Sequence, residues 1–118
     1  MSIQLKRFLI TGVLVVGIDL GFYLILLNFI DISAAKAMSF ILGTAVAFII
    51  NKYWTFEKQG MKVVELFKFL LLYLSSLAIN VFSNIFFLSV SDIEISFIIA
   101  TTISATINFL GQKYWVFR

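Results

Sequence analysis

Long apolar runs separated by short polar breaks organise this chain, and the lengths of the runs predict its elements. Residues 8–30 carry a single charge, Asp19. At about 1.5 Å per residue, 23 residues in a helix cover the roughly 30 Å hydrocarbon core of a bilayer. A turn at 31–33 leads to a second helix over about 34–54, in which Lys36 lies close enough to the end to snorkel. Residues 57–65 form a polar connection with Lys58, Gly60 and Lys62. The pattern then repeats: a third helix over about 66–90, an acidic turn at 91–94 and a fourth helix over 95–115. The expected fold is all-α and integral to a membrane, with four transmembrane helices in two hairpins.

The second half copies the first. Asn51-Lys52-Tyr53-Trp54-Thr55-Phe56 returns 61 residues later as Gln112-Lys113-Tyr114-Trp115-Val116-Phe117. The same offset slides back without a gap, setting Arg7-Phe8-Leu9 on Lys68-Phe69-Leu70, Asp19 on Asn80 and Asp31-Ile32 on Asp92-Ile93. A gapless period of this length predicts a tandem duplication within one membrane domain, 1–118, with repeats at about 5–56 and 66–117.

Charge gives that fold an orientation. Lys6, Arg7, Lys52, Lys58, Lys62, Lys68, Lys113 and Arg118 fall on the side of both termini and the central connection. The other side has Lys36 beside Asp31, Asp92 and Glu94. By the positive-inside rule both termini are expected in the cytoplasm, with parallel repeats about a pseudo-two-fold axis along the membrane normal.

Composition agrees: 62% hydrophobic and 13% charged residues, with a mean hydropathy of +1.08, exceed what a water-soluble domain of this size can bury. The run after the N-terminus is too long for the core of a cleaved signal, so it is expected to be the first span. The net charge of +3 is scattered beside apolar runs, which argues against nucleic acid as a partner. The chain lacks Cys and His, which excludes thiol chemistry, zinc sites of the usual kinds and Cys or His catalysis. No nucleophile–base pair stands out, so no enzyme activity, metal or cofactor is expected.

Three groups of residues could carry chemistry. Asp19 is the one acidic side chain deep in a span, where a carboxylate must be paired, protonated or wet. It could bind a substrate hydroxyl, couple transport to protons, or hydrogen-bond Asn80 and join the hairpins. Small and polar residues recur every four positions on helix two (Ala35, Ser39, Gly43, Ala47, Asn51) and helix four (Ser96, Ala100, Ser104, Asn108, Gln112), predicting close helix contacts. Gly17 and Gly21 on helix one, and Ser76, Asn80 and Asn84 on helix three, keep the same spacing. Lastly, Tyr53, Trp54, Tyr114 and Trp115 fit an interfacial aromatic belt. Beside them Arg7 with Lys52, and Lys68 with Lys113, form two cation pairs that a lipid phosphate could share.

These features resemble the GtrA-like family of small bacterial membrane proteins, over about residues 7–117. Its helix-ending pattern N-x-x-x-N-[RK]-x-W-[TV]-F is matched by Asn51, Lys52, Trp54, Thr55 and Phe56, and by Asn108, Lys113, Trp115, Val116 and Phe117. Ala47 and Gln112 depart from it. The resemblance implies a multi-pass protein of the bacterial cytoplasmic membrane that flips a polyprenyl-phosphate-linked monosaccharide for cell-surface polysaccharide or teichoic acid glycosylation, supplying membrane glycosyltransferases. Arg7, Lys52, Lys68 and Lys113 would hold the phosphate. Asp19, Asn80, Asn84, Asn51, Asn108 and Gln112 would meet the headgroup or couple its movement.

Two other readings fit parts of the sequence: a non-transporting subunit of a glycosyltransferase, and a small multidrug exporter. Four helices offer little interior for a sugar, so a homodimer is expected, with Gly17 and Gly21 or a small-residue face at the contact.

Overall fold

The computed structural model describes residues 2–118. Among them the order is α1 (Ile3–Leu26), α2 (Ile32–Ile50), a π-helical turn π1 (Asn51–Thr55), α3 (Val63–Leu88), α4 (Ile93–Gly111) and a second π-helical turn π2 (Gln112–Val116), with no strand. Counting each π turn with its helix, four spans of 24 to 26 residues are long and apolar enough to cross a membrane. This is an all-α, multi-pass membrane protein.

Local chemistry explains where the helices start. Asp31 accepts hydrogen bonds from the Ser33 and Ala34 amides through Oδ2, and Asp92 accepts one from Ile95 through Oδ1. Each carboxylate caps an N-terminus whose free N–H groups favour an anion. The two acidic turns are thus helix caps, and α2 and α4 begin at Ile32 and Ile93, slightly before the apolar pattern predicts. Likewise α1 starts at Ile3, because Ser2 Oγ accepts from the Leu5 amide at 3.1 Å.

The ends differ more from expectation. Helix one stops at Leu26 instead of near residue 30, since Asn28 and Phe29 bond three residues back to Ile25 and Leu26 and tighten the chain into a turn. Helices two and four do not run as α-helix into their aromatic ends. Phe56 N–H donates to Asn51 O and Phe117 N–H to Gln112 O, both at 2.9 Å and both spanning five residues. Such wide turns are rare and recur at functional positions.

The chain divides into two compact units that meet at Gln59 and Gly60. Gly60 has φ +76°, a backbone conformation that a side chain would strain. In the first unit α2 and π1 pack on α1; in the second α4 and π2 pack on α3. The small-residue stripes lie buried: Ala35, Ser39, Gly43, Ala47 and Asn51, and in α4 and π2 Ser96, Ala100, Ser104 and Gln112, with Asn108 half-buried. A Cβ added at Gly43 would touch Val15 Cγ1 and Asp19 Cβ at 3.5 Å, and one at Gly111 would lie 2.5 Å from Leu72 Cδ1. The helices of each hairpin approach closely there, as small residues allow.

Polarity is inverted relative to a water-soluble protein. Thr11, Ser39, Lys52, Thr55 and Gln112 are almost fully buried, whereas Val13, Phe29 and Phe82 are more than 70% exposed. With lipid as solvent an apolar surface costs nothing, and polar groups turn inward to find partners.

Candidate functional site at the basic-aromatic hairpin ends

The start of α1 and the end of π1 lie together in the first unit, as do the start of α3 and the end of π2 in the second. In the first, the Arg7 guanidinium lies 5.3 Å from the centroid of Trp54. In the second, Lys68 Nζ lies 5.5 Å from Trp115. Both residues of each contact are displaced by 61 positions, so the spacing places a cation over an indole twice. Such a contact is worth about 0.5–2 kcal/mol, increasing as water is excluded.

Glu57 breaks the equivalence. Arg7 Nη1 donates to Glu57 Oε1 at 2.6 Å and to the Trp54 carbonyl at 2.8 Å. The position of Glu57 corresponds to Arg118, and Lys68 has no ion pair among the described residues. Glu57 also has φ 53°, the left-handed region that favours glycine and costs other residues about 1–2 kcal/mol.

The second lysines also differ. Lys52 is fully buried, with Nζ 5.7 Å from the Tyr53 ring. Lys113 is half-buried, 5.2 Å from Tyr114 and 5.9 Å from Phe109. Each of the four cations lies within 6 Å of an aromatic ring centroid, and in the first hairpin the anion beside Arg7 is the protein's own carboxylate. Tyr53, Trp54, Tyr114 and Trp115 are all exposed, as an interfacial belt requires.

Below these rings the two units bury different polar groups. Thr55 Oγ1 donates to Asn51 Oδ1 at 2.9 Å and lies 3.5 Å from Thr11 Oγ1, which donates to the Arg7 carbonyl. In the second hairpin the counterparts of Thr11 and Thr55 are Leu72 and Val116. There Gln112 Nε2 donates to Asn108 Oδ1 at 2.8 Å, and Gln112 Oε1 is buried without a partner among the described residues.

Asp19 lies seven residues before the end of α1, about 10 Å from it. That is nearer the α1–α2 turn than the apolar pattern suggests, because α1 begins and ends earlier. Its partner is Lys36, whose Nζ donates to Oδ1 at 3.2 Å and Oδ2 at 3.0 Å and lies 5.6 Å from the Tyr23 ring. Lys36 thus turns toward a carboxylate instead of snorkelling freely. Asn80 has its own partner: Nδ2 donates to Ser104 Oγ at 3.1 Å. Asn84 makes no side-chain hydrogen bond among the described residues. Gly17 and Gly21 face open space, with nothing within 4 Å of an added Cβ.

Sequence reasoning missed the roles of Glu57 and Lys36. The signal for Glu57 was its place one residue after the first W-T-F, where the second copy has Arg118. The signal for Lys36 was a lone cation one helical turn into a span that follows the span with the lone acid.

With this geometry in hand, comparison with known families gives a match covering nearly the whole chain. The profile described as GtrA/DPMS, transmembrane domain, matches residues 7–118.

Proposed function

The chain belongs to the GtrA/DPMS transmembrane-domain family, a domain associated with glycosylation from polyprenyl-phosphate sugars, and from that premise we propose that it flips a polyprenyl-phosphate-linked monosaccharide across the bacterial cytoplasmic membrane. The observation that carries this reading is the cation over an indole at the same end of both hairpins, Arg7 with Trp54 and Lys68 with Trp115. A cation beside an aromatic plane offers a phosphate its counter-charge and a sugar face or isoprenoid its packing surface. The isoprenoid can remain in lipid, so only the headgroup needs a polar route. Asp19–Lys36 and Asn80–Ser104 supply polar groups within the spans for that passage.

In this reading the process is transport without a covalent step, both termini are cytoplasmic, and membrane glycosyltransferases use the lipid on the far side. The open face at Gly17 and Gly21 supports a homodimer, since glycines with nothing against them allow another backbone to approach.

Native mass spectrometry of the gently solubilised protein tests this. A bound mass of a polyprenyl phosphate plus one sugar, on a dimer, is the expected result. A stoichiometric glycosyltransferase with no lipid-linked sugar would instead favour the accessory-subunit reading.

A further inference from the structure

Resting on the phosphate-lipid reading above, we propose that the phosphate site is open in the second hairpin alone, at Lys68 and Trp115, and that Glu57 is a built-in carboxylate occupying the corresponding place in the first.

Total charge does not create this difference. The end of the first unit carries Lys6, Arg7, Lys52 and Lys58 with one acid, Glu57; the end of the second carries Lys62, Lys68, Lys113 and Arg118 with one acid, Glu65. Long-range attraction for an anionic lipid is therefore matched, and local geometry decides. Arg7 holds Glu57 Oε1 at 2.6 Å beside Trp54. Lys68 lies beside Trp115 with no carboxylate within ion-pair distance among the described residues. A phosphate oxygen arriving at the first site must displace the carboxylate. At the second it meets an unpaired ammonium.

Glu57 is poorly suited to its position on structural grounds alone. The left-handed φ of 53° after a helix end suits glycine or asparagine, and the C-terminal end of a helix disfavours an acid. Its tie to Arg7 offsets both penalties, so the carboxylate is the property the position uses. Its side chain is 70% exposed, so water and a competing anion can reach it. The first site is thus masked by a displaceable group, and the two hairpins are unequal in the order or strength with which they take phosphate.

The two tryptophans of the chain are one per site, so each can report alone. Trp54→Phe leaves Trp115 as reporter, and Trp115→Phe leaves Trp54. The full chain in phosphatidylcholine nanodiscs is titrated with farnesyl phosphate while tryptophan fluorescence is read. Trp115 is expected to respond saturably, and Trp54 only at a concentration about tenfold higher, the weight of one charge-assisted contact. Glu57→Gln in the Trp115→Phe background should bring the Trp54 midpoint to within about threefold of that of Trp115. Glu57→Asn, which tolerates the left-handed backbone, guards against misfolding. Equal midpoints with Glu57 intact, or a silent Trp54 after both Glu57 substitutions while Trp115 responds, would overturn the masking. If neither tryptophan responds to farnesyl phosphate, the phosphate-lipid reading itself fails. An equal response to farnesol overturns recognition of the anion, and one to inorganic phosphate overturns a lipid as its source.

Discussion

The two hairpins share a spacing of 61 residues and an order of elements, yet their polar interiors differ at nearly every matched position. Near the turn of the first hairpin Asp19 meets Lys36 over Gly43; at the matching positions of the second, Asn80 meets Ser104 and Phe97 replaces the lysine. At the opposite end Arg7 is neutralised by Glu57, whereas Lys68 has no such partner among the described residues. Even the packing is exchanged, with Thr11 and Ile50 in the first corresponding to Leu72 against Gly111 in the second. The comparison teaches that backbone geometry and the cation–indole contact need only the shared residues. Charge can then be distributed differently, with an ion pair inside the first hairpin and, at the end of the second, a cation that has no ion pair among the described residues.

Exchanging the polar interiors tests that equivalence most severely. Lys36→Phe alone removes the counter-charge of the Asp19 carboxylate within a span and should destabilise the protein by about 2–3 kcal/mol. Adding Asp19→Asn and Gly43→Ser rebuilds the neutral pair of the second hairpin. Because a Cβ at Gly43 meets its neighbours at 3.5 Å, ordinary contact, the triple variant should return to within about 1 kcal/mol of the parent. Denaturant titration in mixed micelles measures both. If the charged pair acts in transport, the triple variant folds but no longer moves lipid; a triple variant as unstable as Lys36→Phe would show that the two interiors are not exchangeable.

Packing gives a smaller effect. Gly111→Ile drives a side chain into Leu72 and should cost about 2–3 kcal/mol, of which Leu72→Thr in the same chain should recover at least half. Additive losses in the double-mutant cycle would break the correspondence with Thr11 and Ile50. The smallest change expected is Ser104→Ala, which removes the acceptor of Asn80 and should cost about 0.6 kcal/mol, the usual weight of one interhelical hydrogen bond in a membrane.

How far the fold could be read from sequence follows from the same residues. The four spans were legible because lipid demands about 20 apolar residues per crossing whatever they pack against. The aromatic ends were legible because Tyr53, Trp54, Tyr114 and Trp115 recur with the period. The π turns were not, since five residues are too few to distinguish one helical period from another. The sequence shows Lys36 only as a lone cation near a helix end, because nothing in its own helix says that α1 brings Asp19 within 3.0 Å. Glu57 belongs by sequence to a polar connection, whereas in the structure it has a left-handed backbone and pairs with Arg7. For both side chains the missing information was a contact between elements.

The central claim is that the chain by itself moves a polyprenyl-phosphate sugar between leaflets. Proteoliposomes holding the purified protein and a synthetic polyprenyl-phosphate hexose are treated with periodate, which does not cross the bilayer and oxidises only exposed sugar. Oxidation of the whole lipid pool with the protein, against the outer-leaflet share in empty liposomes and a markedly slowed rate with Lys68→Gln, is the predicted result. Oxidation that stops at the outer-leaflet share with correctly folded protein present would contradict it.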